Sequence, residues 1–285
     1  MDVFVRFLNP LLMMAIPLGL GVFLARRSGL AWRLFGIGCV TFIVSQVFHL
    51  LFNSWVLSPI IGQLDLPVGE NGIQAAIVGL VFGLSAGVFE EVARYGVYRV
   101  WVKEARSWGK ALMFGAGHGG VEAMILGGLA MYGLFQALAL RDVSLSTHYS
   151  PEMAEQIRNQ LRVYWDLPWY AVLLGAFERI TAICFHLSAA VLVLQVFIRR
   201  NMIWLLLAIG WHTAINAMAY FVMQVWGMYI AEALLGITVF ISLGIIFALR
   251  TPSPPPDVPQ STKLPEITIR PVEPTREKIE ESRYV

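Results

Sequence analysis

Charged residues are scarce in this sequence. They make up 14% of the 285 residues, whereas 57% are hydrophobic. A soluble domain of this composition would expose large apolar surfaces to water, so the lipid bilayer is the expected environment and partner. The net charge is only +2 and the basic residues are scattered along the chain, so nucleic acid is not an expected partner.

Cysteine is almost missing as well. Cys39 and Cys184 are the only two, each within an apolar run and without a CxxC spacing, so neither a disulfide nor a thiolate metal site is expected. The N-terminal apolar run also lacks the basic start and the small-residue cleavage site of a signal peptide, and Arg26 follows it directly. This run is therefore predicted to be retained as the first transmembrane helix.

Long apolar segments are abundant, and a spanning helix needs roughly 20 such residues. They predict an all-α polytopic transmembrane helical bundle with about seven spans, forming one domain over residues 1–250. Glycines in the fourth segment leave six or eight spans as alternatives. The predicted spans are 8–25, 34–57, 73–98, 111–140, 168–198, 202–222 and 227–249.

The distribution of basic residues predicts the orientation of the chain in the membrane, and the distribution of prolines predicts a separate tail. Ten basic residues flank the spans on one side and four on the other, which predicts an N-terminus outside and a C-terminus in the cytoplasm. Residues 251–285 hold eight of the fourteen prolines, mixed with charges of both signs. This composition predicts a disordered Pro-rich cytoplasmic tail.

Ionisable residues recur inside the predicted spans, where they are costly and usually face a cavity or one another. Counted from the cytoplasmic end of each span at about 1.5 Å per residue, those of four spans lie roughly 12 to 22 Å deep. Side chains that act together must lie at one level, so this layer predicts a common polar cavity. The layer holds Glu91 in the third span, His118 and Glu122 in the fourth, His186 in the fifth, and His212 and Asn216 in the sixth.

Residue spacing shows which polar groups share a helix face. On the third span, Arg94 follows Glu90 by four residues and Glu91 by three, so it can reach either carboxylate. One glutamate is therefore expected to be ion-paired and the other free. Three further pairs share a face because their members are four or eight residues apart. These pairs are His118 and Glu122, His212 and Asn216, and Glu178 and His186.

Carboxylates beside histidines in a water-poor setting suggest activation of a water molecule. A carboxylate would act as general base while histidine or asparagine stabilises the developing oxyanion, so acyl hydrolysis is the expected reaction class. Bound zinc is an alternative, although the HxxxE spacing lacks the central glutamate of HExxH. Candidate zinc ligands are His118, His186, His212 and Glu122.

Polar residues also hold membrane helices together, and this simpler role competes with catalysis. It is the favoured interpretation for Gln46, His49 and Asn53, which share one stripe of the second span. For the polar groups of the later spans, recurrence at one depth on several helices favours function instead.

Three motifs resemble those of the CAAX-processing and bacteriocin-processing glutamic intramembrane proteases, and they occur in the same order. They are Glu90-Glu91 followed by Arg94, Phe114-x-x-x-His118, and His212-x-x-x-Asn216. The wider context is more similar to the YhfC-type membrane peptidases of bacteria, which are relatives of that clan. It comprises Phe-Glu-Glu-Val-Ala-Arg-Tyr, Gly-His-Gly-Gly-Val-Glu-Ala, and Phe-Glu-Arg with a following histidine. The resemblance covers spans three to six.

The resemblance implies an endopeptidase of the bacterial cytoplasmic membrane that hydrolyses a membrane-embedded or membrane-associated peptide. It implies that Glu90 or Glu91 activates water, that His118 orients this water, and that His212 with Asn216 forms the oxyanion site. Only two residues separate Glu91 from Arg94, whereas the CAAX-type motif has three, so the resemblance leaves open which glutamate is the base.

No cofactor is required on this glutamic interpretation. Glu122, Glu178 and His186 lie outside the three motifs, however, and together with Arg94 they are expected to support the site. Their presence leaves a zinc-dependent version open. A secondary transporter, which would use the same carboxylates and histidines for proton or cation coupling, is the alternative function. A non-catalytic scaffold is a third.

Overall fold

The computed structural model describes residues 2–63 and 72–251, and every regular element within these ranges is helical. Seven of the described helices are long and apolar enough to cross a membrane. The predicted all-α bundle with seven spans is therefore confirmed. The predicted tail lies outside the described residues except for Thr251. The orientation of the termini stays a prediction.

The first three spanning helices extend beyond both of their predicted boundaries, whereas the boundaries of the fifth and the seventh lie within one residue of the prediction. A shorter helix, α5, lies between the fourth and fifth spans and has a polar composition. In chain order the helices are α1 Asp2–Ser28, α2 Trp32–Gln63, α3 Gly72–Val100, α4 Trp108–Ala139, α5 Pro151–Asp166, α6 Trp169–Ile198, α7 Ile203–Trp226 and α8 Met228–Ala248.

Helix α6 lies at the centre of the bundle. About 78% of its most apolar window is buried inside the protein, against 28% for α8 and for α4. A helix that is apolar all round is stable only where other helices or lipid cover every face. Helices α4, α7 and α8 pack against α6, and α1 contacts it as well. Polar side chains on α6 are therefore placed inside the protein.

Helix α4 is continuous, so its glycines do not break the fourth span. They let neighbouring backbones come close, which is the usual role of small residues at membrane helix interfaces. A Cβ atom at Gly117 would overlap the carbonyl oxygen of Phe35 on α2. One at Gly119 would lie 2.8 Å from the ring of His186 on α6. His118, between these glycines, is thereby held in the interior with no exposed surface.

The first helix is tied to the start of α6 by polar contacts. Asn9 accepts a hydrogen bond from the backbone N–H of Ala176 at 2.8 Å. Arg6 donates to the carbonyl oxygens of Trp165 and Leu167 at 3.0 and 2.9 Å. These bonds satisfy backbone groups near a helix end that would otherwise lack partners inside the membrane. They hold in place the segment that immediately precedes the polar residues of α6.

Candidate active site

A stripe of glycines joins α3 to α7 and carries a glutamate at its end. The stripe is Gly79, Gly83, Gly87 and Glu91, each four residues after the last. A Cβ atom at Gly83 would lie only 2.9 Å from the carbonyl oxygen of Thr213 on α7. Because glycine lets the two backbones approach this closely, the next residue of the stripe, Glu91, points directly at α7.

Glu91 is the ion-paired glutamate. Its Oε1 lies 2.9 Å from Nδ1 of His212, and its Oε2 lies 3.5 Å from Nε of Arg94. Neither Glu91 nor Arg94 has exposed surface. Since an arginine beside a carboxylate favours the ionised acid, Nδ1–H of His212 donates to Glu91 and the Nε2 atom faces away from it. The expectation that Arg94 pairs with one of the two glutamates is met at Glu91.

Glu90 lies among other side chains that approach it from three helices. Its Oε2 lies 3.0 Å from Nε2 of His118, and its Oε1 accepts a hydrogen bond of 2.7 Å from the amide of Gln46. Nε2 of His212 lies 3.8 Å from the same Oε1. Glu90 also lines the internal cavity, so it is the glutamate that a water molecule in that cavity would contact.

The Gln46 contact is the end of a chain of hydrogen bonds along α2. Ser85 on α3 donates to Oδ1 of Asn53 at 2.8 Å, and Nδ2 of Asn53 lies 2.9 Å from Nε2 of His49. An amide nitrogen can only donate, so Nε2 of His49 accepts and its Nδ1–H donates to Gln46 at 3.1 Å. Every bond in this chain therefore donates in the direction of Glu90, and bonds aligned in this way polarise one another.

This chain changes the interpretation of the polar stripe on α2. Gln46, His49 and Asn53 do join α2 to α3, as helix glue would. The same stripe also ends on a carboxylate of the candidate site, which sequence reasoning missed. The signal available in the sequence was the spacing of Gln46, His49 and Asn53 on one helix face. That spacing carries no information on which neighbouring helix the face meets.

A second hydrogen-bonded group lies beside His186 on α6. Nε2 of His186 lies 2.9 Å from Oε2 of Glu122, whose Oε1 accepts a hydrogen bond of 2.8 Å from Arg179. Arg94 donates to Nδ1 of His186 at 3.3 Å. Arginine has no acceptor atom, so Nδ1 accepts and the proton of neutral His186 is on Nε2, which donates to Glu122. Glu178 also pairs with Arg179.

An internal cavity of about 170 Å³ connects these two groups. One water molecule needs roughly 10–15 Å³ of such space, so several waters or part of a peptide would fit. The exposed fraction of the side chains falls from 41% at Glu178 to 25% at Glu122 and 6% at Glu90, so the cavity opens near Glu178 and is closed at Glu90. Its polar lining consists of Glu90, Glu122, Glu178, Arg179, Thr181, His186, His212, Asn216 and Thr238.

All nine residues singled out for the site lie in or directly behind this cavity. Six of them line it: Glu90, Glu122, Glu178, His186, His212 and Asn216. The other three, Glu91, Arg94 and His118, contact lining residues from behind. The polar groups of four spans therefore meet in space, as their shared depth predicted.

A metal ion has a suitable donor set in this cluster. Within the described ranges, Glu90, His118 and His186 each offer one ligand atom, and these atoms lie within 4.8 Å of one another. One carboxylate and two imidazoles match the ligands that zinc takes in catalytic sites. Of the zinc candidates from the sequence, His118 and His186 belong to this group. The other two candidates lie outside this group: Glu122 is hydrogen-bonded to His186, and His212 is hydrogen-bonded to Glu91.

The fold and the site together define a polytopic membrane protein with a buried centre of carboxylates and histidines. The chain belongs to the YhfC family: a family model described as YhfC intramembrane metalloprotease matches residues 12–240. It is also 31% identical over 210 residues to a Bacillus subtilis (strain 168) protein named "Uncharacterized membrane protein YhfC", covering 72% of this chain and 78% of that relative. None of the solved structures matches it.

The resemblance inferred from the motifs is thus confirmed at the level of the family. Membership in a family described as intramembrane metalloproteases supports a protease that is integral to a membrane. The sequence left open whether the protease is glutamic or metal-dependent, and the family description favours the metal-dependent version.

Proposed function

We propose that this protein is an intramembrane endopeptidase whose water nucleophile is bound and activated at Glu90. One observation carries the proposal: Glu90 lies at the closed end of an internal cavity, between His118 and His212. A base buried in this way can hold a water molecule away from bulk solvent and close to a peptide carbonyl that enters the cavity.

In this mechanism, Glu90 takes a proton from the water molecule as its oxygen attacks the carbonyl carbon. His118 orients Glu90 through the 3.0 Å contact between its Nε2 and the carboxylate. When the tetrahedral intermediate collapses, the proton held by Glu90 passes to the leaving amine, and a carboxylic acid and an amine are released. The hydrogen bond from Gln46 holds the other oxygen of Glu90 in place throughout.

The oxyanion is assigned to the residues of α7. Glu91 binds Nδ1 of His212, which directs Nε2 of a protonated His212 toward the cavity as a donor. Asn216 lines the same cavity one turn further along. Donors fixed before reaction stabilise the developing charge without reorganising, which is the main advantage of such a site. Glu91 is a positioning residue on this proposal, because it acts through His212.

The donor set formed by Glu90, His118 and His186 would hold a zinc ion. An ion bound there would supply Lewis-acid activation of the water. Both ring nitrogens of His186 have partners in this structure, Nδ1 with Arg94 and Nε2 with Glu122, so His186 would have to give up one of these bonds to become a ligand.

The proposal is tested by mass spectrometry of new peptide termini in membranes of cells that produce either the wild type or the Glu90→Gln variant. No substrate has to be assumed. We expect termini that occur only with wild type, because loss of a general base lowers the rate by about 100- to 10,000-fold. The matched control is Glu155→Gln, which changes an exposed carboxylate on α5.

Identical termini in the wild-type and Glu90→Gln membranes, with both proteins folded and present in equal amounts, would contradict the proposal. The control variant should give the wild-type termini. If Glu155→Gln removed them as well, their loss would not be specific to the buried site.

A further inference from the structure

The open end of the cavity is lined by charged side chains that the proposed mechanism does not use, and one further carboxylate lies near them on α8. We call Glu122 on α4, Glu178 and Arg179 on α6, and Glu232 on α8 the acidic mouth. Arg179 pairs with both Glu122 and Glu178, so these three residues hold one another in place. Glu232 lies within electrostatic range of Glu178 and Arg179.

The charges of the acidic mouth do not balance. The group as defined contains three carboxylates and one arginine. His186 adds no positive charge in its neutral form, in which Nδ1 accepts from Arg94. Negative charge without a partner is costly inside a membrane protein, and such groups usually mark the position of a ligand or an ion.

Glu232 is the member of the group with unused binding capacity. Only 7% of its surface is exposed, and Oε2 is buried without a hydrogen-bond partner in the described part of the chain. It lies one helical turn before Leu235, which lines the cavity. A buried carboxylate oxygen within electrostatic range of a second, half-exposed carboxylate suits a donor that carries positive charge, namely an ammonium or a guanidinium group.

We propose that the acidic mouth binds a lysine or arginine side chain of the peptide substrate, with Glu178 and Glu232 as its partners. This inference rests on the proposed function, because it names the substrate class of the same cavity. Glu178 precedes His186 by eight residues, which is about 12 Å along a helix. An extended peptide covers this distance in about four residues, so the basic residue lies within about four positions of the scissile bond.

The test uses two synthetic transmembrane peptides that differ only in having lysine or norleucine at these positions. The full-length Glu90→Gln protein in liposomes binds each peptide without cutting it, so affinity is measured separately from chemistry. We expect about tenfold tighter binding of the lysine peptide. In a protein that also carries Glu178→Gln and Glu232→Gln, the ratio of the two affinities should fall to about one.

Equal affinity of the Glu90→Gln protein for the two peptides would overturn the inference, as would a preference that survives both added substitutions. The single Glu178→Gln change should disturb folding less, because that side chain is half-exposed. We expect it to lower the ratio of the two affinities by itself. Wild-type protein is assayed for cleavage in parallel. Selective binding of the lysine peptide without cleavage would contradict the proposed function while leaving the acidic mouth established.

Discussion

Glu90 and Glu91 are neighbours of the same chemistry whose surroundings differ completely. Glu91 is enclosed by Arg94 and His212, whereas Glu90 borders the cavity. We expect Glu91→Gln to destabilise the protein by about 3–5 kcal/mol, because it leaves the buried guanidinium of Arg94 without its counter-charge. Glu90→Gln should change stability much less than activity. Unfolding of both variants in mild detergent, followed by circular dichroism, measures the difference.

The opposite ranking, with Glu90→Gln the less stable of the two, would mean that the two carboxylates have been assigned the wrong roles. Glu155→Gln again serves as the control, because its loss affects only an exposed pair with Arg158. Exposed pairs of this kind contribute at most about 1 kcal/mol.

The histidines near Glu90 allow a test of metal binding that does not depend on activity. The donor set predicts about one divalent ion per chain in the purified protein, and its loss from His118→Ala and from His186→Ala. His148→Ala is the matched control, since that residue lies in the exposed segment before α5. Elemental analysis by mass spectrometry gives the stoichiometry. Wild-type protein that is active and free of metal would leave Glu90 as the sole activator of water.

At the scale of a helix, the chain of hydrogen bonds along α2 that ends on Glu90 can be tested by changing Gln46. Gln46→Leu removes the donor to Oε1 of Glu90 while keeping the volume of the side chain similar. We expect kcat to fall about tenfold with little change in KM, because Gln46 contacts the base and lies outside the substrate cavity. Val47→Leu, on the lipid-exposed side of the same turn, should leave both constants unchanged.

Steady-state kinetics on a substrate identified from the new termini provides the measurement. An increase in KM without loss of kcat would place Gln46 in substrate binding and contradict its assignment to the base.

The glycine stripe of α3 gives a second prediction at this scale. Gly83→Ala would place a methyl group 2.9 Å from the backbone of α7, so α3 and α7 must separate and Glu91 must move away from His212. We expect lower thermal stability together with loss of activity. Gly96→Ala on the same helix adds its methyl group to open space and should be neutral or slightly stabilising. Equal melting temperatures for the two variants would show that close packing along this stripe does not hold the site.

The helices and the membership of the site could be predicted from the sequence, because both follow from local rules. Apolar length defines each span, and equal depth brought together His118, His186 and His212. Which of these side chains contact one another could not be predicted in this way. Whether Glu90 or Glu91 faces α7 and contacts His212 depends on the rotation of α3 about its axis. That rotation is set by contacts of Gly79, Gly83 and Gly87 with a helix more than a hundred residues later in the chain.

For the whole molecule, the untested prediction is its orientation in the membrane. Starting from a chain in which Cys39 and Cys184 are replaced by alanine, single cysteines are introduced as D142C and K103C at exposed loop positions. We expect a membrane-impermeant maleimide to label D142C in intact cells and K103C only after lysis. The reverse pattern would invert the topology and place the acidic mouth on the cytoplasmic side.

The difference in exposure between Glu178 and Glu90 limits how the protein can handle a peptide. The cavity has an entrance at Glu178 and ends at side chains with no exposed surface, so a chain cannot be threaded through it. On the proposed function, a substrate helix would have to unwind locally and enter as a loop or a loose end, and both fragments would have to leave through the opening by which the substrate came in. The enzyme would therefore make one cut per encounter. Segments that unwind easily, such as those with glycine or proline near the membrane surface, would be cut before stable helices of the same composition.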